Sequence, residues 1–150
     1  MQKLAILLLA LFAVVLPLEA QSNSVIDALL DSREAAFGDA VYLVLSAARI
    51  IPEKATPNDA VWTLQAKNLG VAGRSAKEPI SLGEYAFLMM KAFDIRGGIM
   101  YRIAPGPRYA CRELAFLGLL EGFTAPNRRL AGDEALRILG RFLEQRKATP

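Results

Sequence analysis

The sequence predicts an all-α fold, a compact bundle of five or six helices built from two to three degenerate helix-loop-helix repeats. Three observations support this fold class. Apolar residues recur at helical spacing along most of the 150-residue chain, and Pro, Gly and capping motifs mark the ends of these segments. The apolar pattern of one helix returns in another about 49 residues later. No segment sustains the apolar-polar alternation that is typical of a sheet.

The first 20 residues have the layout of a secretory signal peptide. Lys3 precedes an unbroken apolar run over residues 4–16, Pro17 ends the run, and Ala20 offers a small residue for cleavage. The run of 13 residues is too short for a helix that crosses a bilayer, and no later run is longer. We therefore expect export, cleavage after Ala20 and no transmembrane span afterwards. An uncleaved anchor is the alternative.

Residues 21–150 are enough for one domain with its own core. Their single cysteine, Cys111, excludes an intramolecular disulfide. Cys111 shares a helical apolar face with Leu114 and Leu117, so we expect a small buried side chain rather than a reactive thiol.

Six helices are predicted from start and stop signals. They cover residues 24–30, 38–50, 56–69, 81–94, 107–122 and 132–145. Capping boxes open three of them, at Ser24 with Asp27, at Thr56 with Asp59 and at Ser81 with Glu84. Pro57 and Pro107 stand at first helical positions, where proline is favoured.

Residues 80–93 and 130–142 align at an offset of 49. The matched pairs are Gly83/Gly132, Glu84/Asp133, Ala86/Ala135, Met89/Ile138, Met90/Leu139 and Phe93/Phe142, with Ala66/Ala115 upstream. Residues 38–45 form a weaker third copy at an offset of 45. Such periods indicate stacked supersecondary units, and chance similarity among apolar helices is the alternative. We expect the apolar faces of the matched helices to be buried, including Phe93 and Phe142.

A long connection at residues 95–108 contains three Gly, two Pro and three Arg, and long connections often carry function. The candidate ligand-binding residues here are Arg96, Tyr101, Arg102, Arg108 and Tyr109. They would bind an anionic or sugar ligand, with Tyr101 stacking and the arginines donating hydrogen bonds. The alternative is a plain linker that buries Ile99, Met100 and Ile103 in the core.

The charge is divided unevenly along the chain. Residues 21–90 hold 6 Lys or Arg against 8 Asp or Glu, whereas residues 91–150 hold 11 against 6. A basic second half in an exported protein favours an anionic wall polymer, a lipid headgroup or an acidic partner, and export disfavours nucleic acid. A solvated surface without a ligand is the alternative.

The composition leaves little for catalysis. The chain has no His and one Cys, which excludes Ser-His-Asp and Cys-His arrangements and the usual zinc sites. The carboxylates Glu84, Asp133 and Glu134 lie in first helical turns, where acids are expected to cap. Trp62 is expected in the core. We therefore predict neither an enzyme nor a cofactor or metal.

The repeat unit resembles the S-layer homology (SLH) module. Residues 66–71 and 115–122 look like the end of that family's first helix, and residues 80–84 and 130–133 look like the opening of its second. Glu84 and Asp133 match the acid of the family's opening motif, whereas Leu82 and Ala131 replace its binding arginine. The Phe-x-Asp opening of the first helix is missing. The resemblance implies a wall-anchoring domain of an exported bacterial envelope protein.

Two functions follow from this reading. In the first, the protein is a non-catalytic binding module of the periplasm or cell envelope, retained by peptidoglycan or an anionic wall polysaccharide. In the second, it is a periplasmic structural or adaptor subunit that binds another envelope protein. A basic groove would favour the first function, and an exposed apolar patch would favour the second.

Overall fold

Seven helices lie within residues 20–148, the part of the chain that the computed structural model describes. They are α1 (Ala20–Asp31), α2 (Phe37–Ala47), α3 (Pro57–Ala66), α4 (Leu82–Ala92), α5 (Ile99–Ile103), α6 (Pro107–Phe116) and α7 (Gly132–Ala148). These residues contain no strand, only isolated bridges that join Ala36 to Pro79 and Ser81 to Arg129. The fold is all-α. Residues 1–19 of the predicted signal peptide lie outside the described part.

The three largest differences from the predicted helices concern α5, α1 and α6. The short helix α5 lies inside the predicted loop and raises the count of helices to seven. Helix α1 begins at Ala20, so Ser24 lies within it and the capping box predicted there is wrong. Helix α6 ends at Phe116 because Gly118 adopts a φ of 71°, and the N–H of Leu119 donates to the carbonyl of Leu114 at 3.0 Å.

The other two capping boxes are present. The Thr56 hydroxyl accepts from the N–H of Asp59 at 3.2 Å, and the Asp59 carboxylate accepts from the N–H of Thr56 at 2.9 Å. Ser81 and Glu84 make the same reciprocal pair at 3.3 and 2.8 Å. These bonds satisfy N–H groups that the first turn of a helix leaves unpaired.

A closed ring of three backbone hydrogen bonds lies at the centre of the fold. The N–H of Ala35 donates to the carbonyl of Leu130 at 2.7 Å, that of Ile80 to Ala35 at 3.0 Å, and that of Leu130 to Ile80 at 3.1 Å. All three residues are fully buried. The ring joins the segments that lead into α2, α4 and α7, so these helices leave a common centre.

A glycine lies two or three residues after each ring residue, at a point where a neighbouring segment approaches too closely for a side chain. A Cβ on Gly38 would lie 2.8 Å from the Cβ of Ala76, and one on Gly83 would lie 3.0 Å from Pro126. Gly132 sits against the carbonyl of Leu29 with no room for a Cβ. Close backbone contact therefore explains why glycine recurs in the repeated pattern.

The core forms where the helices pack in pairs. Helices α4 and α6 contact each other most extensively, followed by α2 with α3 and by α1 with α7. The predicted burial of Met89, Met90, Ile138 and Leu139 is confirmed. Phe93 and Phe142 are only partly buried, and their rings contact each other with centroids 4.7 Å apart. They lie at the edge of the core because both follow the last buried turn of their helices.

The connections that follow α2 and α4 differ in length. Helices α2 and α4 begin 45 residues apart, at Phe37 and Leu82, whereas α3 and α6 begin 50 residues apart, at Pro57 and Pro107. The first linker, residues 48–56, is therefore five residues shorter than the second linker, residues 93–106. The sequence alignment of Ala66 with Ala115 was one residue off, since the buried positions of α3 and α6 coincide at an offset of 50.

Candidate functional site

The first linker, residues 48–56, presents a polar surface to solvent. Ile51 points into the core, while Pro52, Glu53 and Lys54 are exposed. The hydroxyl of Tyr42 donates to the carbonyl of Glu53 at 2.7 Å and holds the linker against α2. No large apolar side chain of this linker is exposed.

The second linker is held by Tyr101 on α5. The Tyr101 side chain is only 8% exposed, and its ring meets Phe87 edge to face at 6.3 Å between centroids. A Cβ on Gly97 would lie 2.5 Å from the Tyr101 ring, so glycine leaves the room that the ring needs. Burial, followed by the nearby charge of Glu113, raises the pKa of the Tyr101 hydroxyl. Tyr101 therefore anchors the linker and offers little of its ring to a ligand.

A cavity of about 570 Å³ lies along this linker. It is lined by Ile95, Arg96, Gly97, Tyr101, Arg102 and Pro105. Two of its lining side chains are cationic and none is acidic. The cavity thus brings together Arg96, Tyr101 and Arg102 of the five residues that the sequence singled out.

Within residues 20–148, the two arginines of the second linker and the nearby Arg108 of α6 carry no ion pair. Among residues 20–148, Arg96, Arg102 and Arg108 are exposed and have no carboxylate within salt-bridge distance. The arginines that do form ion pairs lie elsewhere, at Arg74, Arg128, Arg137 and Arg141. The cavity is therefore a cationic site whose charge is not neutralised by the fold.

The remaining candidates lie apart from the cavity. Tyr109 lines a separate groove of about 600 Å³ together with Gly98, Ile99, Met100, Arg112, Glu113 and Phe116. Arg108 lines neither space. The five residues therefore do not form a single site.

The sequence analysis did not predict that four apolar side chains on α5 and α6 face solvent. Ile99, Ile103 and Phe116 are 73%, 74% and 88% exposed, and Met100 is exposed as well. The alternative that Ile99, Met100 and Ile103 fill the core is wrong, because Tyr101 takes the inward position of α5. The second linker is five residues longer than the first, and this extra length was the sequence signal for additional surface there.

The carboxylates considered for acid and base chemistry have structural partners. Glu84 caps α4 and also lies 3.6 Å from Nε of Arg74. Asp133 pairs with Arg137 at 2.7 Å, and Glu134 accepts from Nη1 of Arg128 at 2.8 Å. Within residues 20–148 no group of three or more His, Cys, Asp or Glu side chains is arranged to hold a metal ion.

Cys111 and Trp62 occupy opposite environments. Cys111 is buried as predicted, and its thiol donates to the carbonyl of Thr124 at 3.2 Å. Burial raises the pKa of the Cys111 thiol, so the reactive thiolate is disfavoured. Trp62 is 72% exposed, contrary to the expectation that it lies in the core. Ala60, Val61 and Leu64 already fill the inward face of α3, which leaves Trp62 facing outward.

In residues 20–148 no helix has the length and apolar character that crossing a membrane requires. The chain matches no family model, no curated protein and no solved structure.

Proposed function

We propose that the protein is a non-catalytic binding module of the periplasm or cell envelope that holds peptidoglycan or an anionic wall polysaccharide. The observation that carries this proposal is the cavity of about 570 Å³ with two arginines that no carboxylate of residues 20–148 neutralises. Planar guanidinium groups donate paired hydrogen bonds to carboxylates and phosphates, the charged groups of such polymers. The signal-like residues 1–20 support export.

The fold interpretation that accompanies the proposal is three degenerate SLH-like units. The backbone ring of Ala35, Ile80 and Leu130 supports it, since each residue would contribute the same bond in its own unit. Helices α3 and α6 would be the first helices of two units, and α2, α4 and α7 the second helices of all three. Crowded glycines at Gly38 and Gly83, each three residues after its ring residue, add further support.

Binding by this cavity requires several arginines to act together. An exposed ion pair contributes on the order of 0–1 kcal/mol, so a single contact would not retain a protein on the wall. A polymer with repeated charges can engage Arg96 and Arg102 in the cavity and Arg108 beyond it. Such binding weakens as salt screens the charges.

A pull-down with purified peptidoglycan sacculi tests the proposal. We expect the wild-type protein to sediment with sacculi at low salt and less at high salt. The variant with Arg96→Gln, Arg102→Gln and Arg108→Gln should lose most of this binding. Its fold is checked by circular dichroism, and exposed arginines are replaced without loss of core contacts.

The matched control changes the same number of charges elsewhere. Arg33→Gln, Arg49→Gln and Lys54→Gln also replace exposed cations, two of them in the first linker. The control variant should bind sacculi almost as well as the wild type. If both triple variants lose binding equally, net charge alone retains the protein. If neither loses binding, the cavity is not the site.

A periplasmic structural or adaptor subunit that binds another envelope protein is the second candidate. The exposed apolar side chains Ile99, Met100, Ile103 and Phe116 favour it. It takes first place if wild-type protein fails to sediment with sacculi at low salt.

A further inference from the structure

Four large apolar side chains lie in solvent beside each other on α5 and α6. Ile99, Met100 and Phe116 line one groove, and Ile103 lies one helical turn from Ile99. We refer to Ile99, Met100, Ile103 and Phe116 as the apolar face. Contiguous exposed apolar surface on a small domain usually marks a site of contact with a partner or a membrane.

The fold does not require this exposure. The first linker joins equivalent helices with nine residues and exposes no large apolar side chain, whereas the second uses fourteen and exposes three on α5. Each linker sends an apolar anchor inward, Ile51 in the first and Tyr101 in the second. The apolar face is therefore an addition to the connection and not a consequence of making it.

Two cations adjoin the apolar face, and a third lies on the helix that carries Phe116. Arg102 and Arg112 are exposed next to it, Arg108 is exposed on the same helix as Phe116, and none of the three has an ion pair in residues 20–148. Glu113 is the one acidic residue between positions 95 and 116, and it is partly buried. The charge around the face therefore complements an anionic surface.

We propose that the apolar face inserts into the surface of an anionic phospholipid bilayer, with Arg102, Arg108 and Arg112 at the phosphate groups. Ile99, Ile103 and Phe116 are each more than 70% exposed. A fluid interface can surround such projecting side chains from all directions. Apolar burial combined with attraction to anionic lipid is how interfacial helices bind membranes. This inference goes beyond wall-polymer binding and does not depend on it.

Co-sedimentation with unilamellar vesicles tests the inference. One set of vesicles contains phosphatidylcholine alone, and the other adds phosphatidylglycerol. The protein is taken from an expressing cell, its N-terminus is defined by mass spectrometry, and all variants share that N-terminus. We expect wild-type protein to bind the phosphatidylglycerol vesicles more strongly and to be released by salt.

Matched variants separate the apolar face from general hydrophobicity. The double variant Ile99→Ser with Phe116→Ser should bind phosphatidylglycerol vesicles at least about tenfold more weakly, since each side chain loses its apolar burial. The control, Trp62→Ser with Phe123→Ser, removes two exposed apolar side chains that line neither the cavity nor the groove. It should bind like the wild type. Circular dichroism checks that both variants fold.

A fluorescent reporter tests insertion directly. The chain has a single tryptophan, so Trp62→Phe gives a silent background into which Phe116→Trp is introduced. With phosphatidylglycerol vesicles, the emission should shift to the blue and be quenched by lipids with brominated acyl chains. The inference is overturned if wild-type protein binds neither set of vesicles, if the two double variants bind equally, or if the reporter emission does not shift. Sacculus binding is a separate measurement and stands or falls independently.

Discussion

The two linkers of this protein make similar helix-to-helix connections but present different surfaces to solvent. Both leave a helix through a residue with positive φ, Arg49 at 57° and Asp94 at 51°, and both end at a proline that begins the next helix. The first linker needs nine residues and presents charged side chains. The second needs fourteen and presents arginines and three of the four side chains of the apolar face. The comparison indicates that the extra five residues serve a surface rather than the fold.

The aromatic residue beneath each linker repeats this contrast. Tyr42 and Phe87 occupy the same position on α2 and α4, 45 residues apart. Tyr42 ties down the first linker through a hydrogen bond to the Glu53 carbonyl. Phe87 has no hydroxyl and instead supports the Tyr101 ring of the second linker. The first linker is therefore held by a hydrogen bond from Tyr42, and the second by ring packing on Phe87.

Exchanging the linkers gives the largest expected effect. The graft replaces residues 96–106 by the six-residue sequence of residues 51–56, between the equivalent flanks Ile95 and Pro107. We expect a folded protein with a cooperative urea transition. Sacculus and vesicle binding should both fall to background, since most of the cavity lining and three of the four side chains of the apolar face are removed together.

A refinement of the graft tests the matched anchors. The grafted linker lacks the hydrogen bond that Tyr42 gives to Glu53, and adding Phe87→Tyr should restore about 1 kcal/mol of unfolding free energy. A graft that fails to fold with either residue at position 87 would show that the linkers are not equivalent. A graft that keeps full binding would place the binding sites elsewhere.

The second largest effect is expected at Tyr101, which anchors the second linker and is itself buried. Tyr101→Ala should lower the free energy of unfolding by about 3 kcal/mol, because it removes a buried aromatic ring. Tyr101→Phe should cost less than about 1 kcal/mol, since the Tyr101 hydroxyl donates no hydrogen bond within residues 20–148. Urea denaturation measures both. A loss below about 1 kcal/mol for Tyr101→Ala would mean that α5 is not anchored by its ring.

Local signals in the sequence predicted the helices well. Thr56 and Ser81 bond to groups only three residues away, and Pro57 and Pro107 act on their own helices, so the signal and the structure lie in the same segment. Ser24 failed as a cap because the helix continues upstream to Ala20.

Local sequence signals did not predict which side chains of the second linker face solvent. Ile99 and Met100 in a Gly-rich and Pro-rich loop have the composition of core residues, and only their placement around Tyr101 turns them outward. The offset of 45 predicted for the third copy agrees with the starts of α2 and α4, whereas the offset of 49 predicted for Ala66 and Ala115 is one residue short of the 50 that separates α3 from α6. The backbone ring joins positions up to 95 residues apart and leaves no local signal.

The smallest expected effect concerns the first residue of each linker. Ala48 opens the first linker, whereas Phe93 opens the second and packs on Phe142 of α7. Both rings are partly exposed, so Phe93→Ala should cost about 1–2 kcal/mol, less than the 3–5 kcal/mol typical of a fully buried aromatic residue.

A double-mutant cycle isolates the contact between the rings. Phe93→Leu and Phe142→Leu, alone and together, keep most of the apolar area and remove the aromatic geometry. We expect a coupling of about 0.5–1.5 kcal/mol, the range for aromatic pairs. Arg146, whose guanidinium lies 5.9 Å from the Phe93 ring, is tested separately with Arg146→Gln. A coupling near zero would show that Phe93 only covers the core edge, as Ala48 does in the first linker. A coupling in the expected range would show that the second linker is fastened to α7 at its start as well as to α4 through Tyr101.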